Sequence, residues 1–329
     1  MIELKNVCKN YGVTKALIDV SCSISQGEII GFVGPNGAGK STTMKIITTY
    51  TAPTSGSVKV GDFDVMENPL EVRKLIGYLP ESVPLYEDMI VNEYLEFIGA
   101  ARHLNGSFKK RRDWVIDACG LHSVINRKIG VLSKGYKQRT CLAQALIHDP
   151  EVLILDEPTS GLDPLQIVGI RNLIRDLAHE KTIILSTHIL PEVATVSDRI
   201  LMVNDGRLVA DGTFEELRQM VMKRSGIYLE VACSKKDLQS ALAKISGVED
   251  VTFADSSKRG IVACHVYFSH EADIAGALNT AIREHGWDVL EFRHEKLSLE
   301  DSFIKLSQIK KPEDDQIEET QADKEGGAA

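Results

Sequence analysis

The sequence predicts an α/β fold built on a parallel sheet, followed by a smaller α+β unit, and three observations carry that prediction. Glu28-Ile29-Ile30-Gly31-Phe32-Val33, Glu151-Val152-Leu153-Ile154-Leu155 and Thr182-Ile183-Ile184-Leu185-Ser186 are continuous apolar runs of strand length, the pattern of parallel strands buried on both faces. A glycine-rich loop joins the first run to the helical stretch Thr42-Thr43-Met44-Lys45-Ile46-Ile47. Beyond Met220 the texture changes to short segments in the order βαββαβ. With 329 residues, 43% of them hydrophobic and 26% charged, the chain is long enough for one large or two medium cores.

The loop after the first strand is Gly34-Pro35-Asn36-Gly37-Ala38-Gly39-Lys40-Ser41, a complete G-x-x-x-x-G-K-[ST] motif. Glycine lets successive backbone N–H groups curl around phosphate oxygens with no Cβ in the way. The start of the helix, at Thr42, adds partial positive charge to the same place. This arrangement is expected to hold a nucleoside triphosphate, with Lys40 reaching the β- and γ-phosphates and the Ser41 hydroxyl on Mg²⁺.

The second buried run ends in Asp156-Glu157-Pro158 and delivers two carboxylates to the sheet edge where the phosphate loop sits. They need different tasks. Asp156 fits Mg²⁺, which keeps several waters and takes only one or two carboxylates. Glu157 then faces the γ-phosphate, where a carboxylate orients the attacking water or takes its proton. The third run ends in Thr187-His188, which sets an imidazole at the end of the neighbouring strand, in reach of the γ-phosphate or of Glu157.

Composition narrows the partners. Formal net charge is −9, and residues 312–329 hold seven acidic side chains against Lys324 alone, so that tail supplies six of the nine. The rest is close to balanced, which argues against a nucleic-acid-binding surface, and 310–329 reads as a disordered acidic tail. Neither a membrane span nor a signal peptide is expected, which places the chain in the cytosol. Cys8, Cys22, Cys119, Cys141, Cys233 and Cys264 form no C-x-x-C pair and read as buried thiols.

Between the phosphate loop's strand and the Asp-Glu strand lies Leu132-Ser133-Lys134-Gly135-Tyr136-Lys137-Gln138-Arg139, with Ser133 as N-cap of a helix that continues to Ile147. Together with the glycine loop and the Asp-Glu and Thr-His strands, it makes roughly residues 1–220 resemble the ATP-binding subunit of an ABC transporter. The resemblance implies a P-loop NTPase cassette with a RecA-like core, an antiparallel β subdomain and a helical subdomain at about 82–131, working with ATP and Mg²⁺. It also implies that Tyr11, in Lys9-Asn10-Tyr11-Gly12, stacks on adenine. Glu81, in Gly77-Tyr78-Leu79-Pro80-Glu81, stands where the family carries a glutamine near the metal; Asp163, in Gly161-Leu162-Asp163, stands in the loop that touches a facing subunit. Asp205-Gly206 before Arg207-Leu208-Val209 matches the usual end of the cassette.

Two positions depart from the family. The usual Leu-Ser-Gly-Gly-Gln signature has Lys134 and Tyr136 at its third and fifth places, while Ser133 and Gly135, which must approach a phosphate, are retained. Glu81 exchanges a neutral amide for a carboxylate that can still ligate Mg²⁺ but repels phosphate when the metal is absent. Leu-Ser-Lys-Gly-Tyr, Gly-Tyr-Leu-Pro-Glu and Gln144-Ala145-Leu146-Ile147-His148-Asp149-Pro150 resemble the ABC-2 type export ATPases, and among them the gliding-motility-type branch. That resemblance implies two cassettes closing head to tail, a homodimer being the simplest supply, together with an integral membrane permease on a separate chain. The chain would then sit peripherally on the cytoplasmic face of the cell membrane. A soluble ABC protein uncoupled from transport, or a regulatory module that binds ATP without useful turnover, are the alternatives.

Ser82–Val131 has helical patterning, and the resemblance makes Pro84, Leu85 and Tyr86 contact candidates for the membrane partner. In the accessory domain, 226–306, the spacing predicts strands at 227–231, 248–253, 261–268 and 289–293 with helices at 236–245 and 272–284, a ferredoxin-like arrangement. An amphipathic helix at Leu297–Leu306 closes it. No metal, nucleophile or phosphate motif falls in this region, which suits a dimer-stabilising or regulatory appendage.

Overall fold

The computed structural model describes residues 1–82, 84–178, 180–217, 224–254, 260–269 and 274–295. The chain divides into a unit of Met1–Phe214 and a unit of Glu215–Ala329. The first opens on a hairpin, β1 (Ile2–Tyr11) and β2 (Thr14–Ile24). Ile2, Leu4 and Val7 of β1 are buried while Lys5 and Asn6 face solvent, the one-sided pattern of an antiparallel sheet. After β3 (Ile29–Val33) and α1 (Lys40–Ile47) come β4 (Ser55–Val60) and β5 (Phe63–Asp64), which complete a four-stranded sheet in the order β2-β1-β4-β5.

The remaining elements of this unit are α2 (Pro69–Leu75), β6 (Ile76–Leu79), α3 (Val91–Ala101), α4 (Phe108–Cys119), α5 (Lys134–Leu146), β7 (Val152–Asp156), α6 (Pro164–Ala178), β8 (Thr182–Thr187), α7 (Leu190–Ala194), β9 (Arg199–Asn204) and β10 (Arg207–Gly212). A six-stranded sheet runs β10-β9-β3-β8-β7-β6, parallel except at the β9–β10 edge. Every residue of β3, β7 and β8 is buried, as the unbroken apolar runs predict. Because β3, β8 and β7 are neighbours and parallel, the loops that follow them emerge at one edge, where ligands of such sheets bind. The core between the two sheets joins Ile2, Leu4, Val20 and Val58 to Ile30, Phe32, Met44, Ile154 and Ile184, so it clamps α1 and the phosphate loop onto both layers.

Between 82 and 131 the helical patterning resolves into α3 and α4 with short 3-10 turns at Asn105–Ser107 and Ile129–Val131. Gly120, at φ 62°, ends α4 in the left-handed conformation that closes a helix at least cost in glycine. In the second unit, β11 (Arg224–Ala232), α8 (Lys235–Leu242), β12 (Val248–Ala254), β13 (Val262–Ser269), α9 (Ile274–His285) and β14 (Asp288–Glu295) follow the βαββαβ order. Their strands form an antiparallel sheet, β12-β13-β11-β14, over a core of Ile227, Leu229, Cys264, Val266, Leu238 and Leu278. The predicted closing helix and the acidic tail lie outside the described residues. The buried-thiol expectation holds for Cys119, Cys141 and Cys264, each pushed up to about 12 chiefly by burial. It does not hold for Cys8, Cys22 and Cys233, which are half-buried: Cys8 and Cys22 lie in the β1–β2 hairpin, whose sheet has one solvent-facing side, and Cys233 just beyond the end of β11.

Candidate active site

At the edge where β3, β7 and β8 end lies an open cleft of about 380 Å³, lined by Asn36, Gly37, Gly39, Lys40, Ser41 and Thr42 of the phosphate loop and by Ala16, Glu81, Glu157, Ser160 and His188. The loop is held from behind by a turn at Asp205 and Gly206, where the Gly206 N–H donates to Ala38 O at 3.0 Å and Ile18 N–H donates to Gly206 O at 2.7 Å. Gly34 has to be glycine, since a Cβ there would sit 2.3 Å from Val203 O. Gly39 adopts φ 108° and precedes α1 with no side-chain cap, which leaves the first N–H groups of the helix pointing at the cleft without a side-chain acceptor.

Lys40 is 6% exposed and spans the loop, donating from Nζ to Gly34 O at 2.7 Å and Pro35 O at 3.1 Å. Its Nζ lies 3.8 Å from Glu157 Oε1. Burial draws the ammonium below the ordinary lysine range, while Glu157, Asp156 and Glu81 pull the other way. A polyphosphate in the cleft would reinforce those carboxylates in favouring the charged form.

Asp156, at the end of β7, is almost fully buried and accepts from Ser41 Oγ at 3.2 Å and from Ser186 Oγ. Glu157, the next residue, takes φ 50°, a left-handed conformation costing a non-glycine residue on the order of 1–3 kcal/mol and typical of functional sites. The backbone turn is held there by the Glu157 N–H, which donates to Ser186 O at 3.2 Å and to Ser186 Oγ at 3.1 Å. The turn aims the carboxylate into the cleft, where both its oxygens lie 3.0 Å from His188 Nδ1.

The structure therefore gathers Asn36, Gly37, Gly39 to Thr42, Glu81, Glu157 and His188 at one cleft, with Asp156 against Ser41 and with Gly34, Pro35 and Ala38 forming the back of the loop. Four other predicted site residues stand apart from the cleft wall. Tyr11 is at the tip of the β1–β2 hairpin, half exposed, with Lys9 Nζ 4.9 Å above its ring. Ser133 caps α5, accepting from Tyr136 N–H at 3.4 Å, and Gly135 is packed against the Gln166 side chain. Asp163 caps the start of α6, accepting from Gln166 N–H at 2.9 Å.

Two residues that sequence reasoning passed over also matter. Ser186 ties Asp156 and Glu157 to β8, and its place two residues before His188 at a strand end was the available signal. Gln138, buried in α5, donates to Pro158 O at 3.2 Å and connects the signature helix to the loop after Glu157. At the fifth signature place Tyr136 turns to Ser123 instead, the two hydroxyls 3.1 Å apart.

A family model described as ABC transporter matches residues 17–160. The bacitracin transport ATP-binding protein BcrA of Bacillus licheniformis is 35% identical over 309 residues, 93% of this chain and 97% of BcrA. The linearmycin resistance ATP-binding protein LnrL of Bacillus subtilis is 32% identical over 310 residues, 93% of this chain and 98% of LnrL. Among solved structures, an ATP-binding subunit of an ABC transporter matches with a TM-score of 0.62 and 30% identity, over 67% of this chain and 92% of that one. A dimeric ATP-binding cassette in a post-hydrolysis state, bound to ADP and phosphate, matches with a TM-score of 0.59 and 27% identity, over 65% of this chain and 98% of that one.

Proposed function

The chain belongs to the ABC transporter family as an ATP-binding, ATP-hydrolysing subunit, and we propose that its turnover powers export through a separate integral membrane permease. The observation that carries this reading is the single cleft in which the phosphate loop, Lys40, Glu81, Glu157 and His188 converge, with Asp156 held behind Ser41. The names of BcrA and LnrL, one for bacitracin transport and one for linearmycin resistance, support export of an antibiotic-like compound. The motif phrases support placement in the ABC-2 type export group and its gliding-motility-type branch. Among the described residues no helix is long and apolar enough to cross a membrane. In this reading the permease is another chain and this one is a peripheral subunit on the cytoplasmic face.

In the proposed cycle the N–H groups of the phosphate loop and of α1 bind the triphosphate, and Lys40 neutralises its β- and γ-oxygens. Glu157 accepts a proton from the attacking water, and His188 holds the carboxylate in position through Nδ1 while its other ring nitrogen is directed toward the γ-phosphate. The Ser41 hydroxyl and the Asp156 and Glu81 carboxylates are hard oxygen donors of the kind Mg²⁺ takes, and they would hold it. When bound, Mg²⁺ neutralises charge on the phosphate oxygens.

An open cleft leaves the γ-phosphate in water, where electrostatic stabilisation is weak. In this reading Ser133, Gly135 and Asp163, which stand clear of this cleft, close the site of a second copy in a head-to-tail homodimer, with Tyr11 against the adenine; that a similar cassette bound to ADP and phosphate is dimeric supports the pairing. Tyr86 is 58% exposed and meets Phe97, 47% exposed, edge-on at 5.6 Å; with Pro84 and Leu85 it offers an aromatic contact to the permease. The strand order of the second unit supports a ferredoxin-like domain that stabilises the dimer or regulates it.

Tagged protein purified from detergent-solubilised membranes should bring down a multi-spanning integral protein whose presence raises ATP turnover. A preparation that hydrolyses ATP fully and recovers no integral protein would overturn the export reading.

A further inference from the structure

Behind the Glu157–His188 pair lies a second buried carboxylate, Glu192 of α7, only 8% exposed and outside the cleft. It accepts a hydrogen bond from Thr159 Oγ1, two residues after Glu157, and from Thr187 Oγ1 at 3.5 Å, one residue before His188. Thr187 Oγ1 in turn accepts from Ile189 N–H at 3.1 Å, so the same hydroxyl shapes the chain on both sides of His188. From the other side, Arg171 of α6 brings Nη2 to 3.9 Å from Glu192 Oε1, while its buried Nε has no partner among the described residues.

Burying a carboxylate is costly unless it is paired and hydrogen-bonded, and here the bonds run to the loops that carry the base and the histidine. We infer that Glu192 is a positioning residue for ATP hydrolysis: it clasps the loop after Glu157 to the loop bearing His188 and links both to α6. The inference rests on the roles given above to Glu157 and His188. Glu192 touches neither the cleft nor the phosphates, so it sets the geometry of the pair through Thr159 and Thr187 and takes no proton itself. Displacements of about 1 Å at a catalytic group cost on the order of 100-fold in rate, so a clasp of this kind reads out in kcat and leaves ground-state binding alone.

The experiment is a double-mutant cycle on the full chain with ATP and Mg²⁺, measuring kcat, KM and thermal midpoint. Glu192→Ala is expected to lower kcat by about tenfold or more with KM for ATP within about twofold, and Glu192→Gln, which keeps an acceptor oxygen, to recover most of that loss. In a His188→Ala background the same Glu192→Ala change is expected to cost less than about twofold, because the pair it positions is already broken. Thr159→Val, which removes one hydroxyl at constant volume, is expected to reproduce the Glu192 loss and serves if Glu192→Ala does not fold. Equal losses in both backgrounds, or a Thr159→Val enzyme at the parental rate, would overturn the inference while leaving the site reading intact. A His188→Ala enzyme at the parental rate would overturn the site reading and this inference with it.

Discussion

Replacing Glu157 with glutamine keeps the side chain's shape and its backbone at φ 50°, and removes one negative charge from a buried position. Two consequences follow, and they have opposite signs. A positioned proton acceptor contributes roughly 10²–10⁴-fold to rate. At about 1.4 kcal/mol per decade that is on the order of 3–5 kcal/mol of barrier. For binding, Glu157 Oε1 lies 3.8 Å from Lys40 Nζ, and in the free protein this carboxylate competes with an incoming γ-phosphate for the same ammonium. The attraction at that distance is a few kcal/mol at an effective dielectric of about 20, largely offset by the burial of both charges, so the net effect on affinity is small. Releasing Lys40 and removing a like charge beside the phosphate should therefore hold ATP affinity or raise it by up to about tenfold. Phosphate release at saturating ATP measures the first effect; equilibrium binding of a fluorescent ATP analogue measures the second. Light scattering with ATP should also show Glu157→Gln accumulating as a dimer. Turnover within tenfold of the parent would refute the assignment of the base, and loss of nucleotide binding would show that the change damaged the cradle and not the chemistry.

Lys40→Ala removes the ammonium that meets the triphosphate, and ATP affinity should fall by about 10–100-fold, from the roughly 1.5–3 kcal/mol worth of a charged hydrogen bond; equilibrium binding at fixed salt checks it. Gly39→Ala would place a Cβ 2.7 Å from Leu17 Cδ2 and 2.8 Å from Ala16 O at φ 108°, so it should lower the thermal midpoint by several degrees and weaken nucleotide binding together, while an unchanged melt would refute the strain. His148 accounts for an acid-sensitive part of stability. Its imidazole is held down to about 4 by burial, with Arg102, Arg111 and Lys181 nearby, against an unfolded value of 6.5. The unfolded chain binds the extra proton between those values, so His148's contribution is whole above pH 6.5 and is lost as pH falls toward 4, a loss of at most about 3 kcal/mol. Denaturant melts of His148→Gln should show a flatter acid limb; a limb as steep as the parent's would refute the assignment.

Much of this site is legible in one dimension because its chemistry is carried by short, contiguous stretches. The cradle Gly34 to Ser41 and the Asp156-Glu157 pair each sit directly after an unbroken apolar strand, so the residues that announce the strands also announce what the strands deliver. The same holds for the second unit, whose six elements appear in the predicted order with ends shifted by up to three residues, because helix and strand ends depend on capping that periodicity does not encode. What stayed illegible depends on side chains that meet across the chain. Ser186 and Glu192 sit 30 and 33 residues from the Asp156 and Thr159 they hold; Ser186 is marked only by its place just before His188, and nothing in the local pattern distinguishes Glu192 from an ordinary helix residue.

From the sequence alone came the glycine loop between a buried strand and a helix, the three buried parallel strands and the βαββαβ order of the second unit, because backbone approach at glycine and parallel-strand burial are local properties. Tertiary structure decided which residues share the cleft and which face away from it. Adjacency of β3, β8 and β7 in the sheet brings Lys40, Glu157 and His188 within about 4 Å of their partners, whereas Ser133 and Asp163 cap α5 and α6 away from this chain's own cleft. The order of strands in a sheet is set by long-range packing, and that order is what turns three separated motifs into one electrostatic environment.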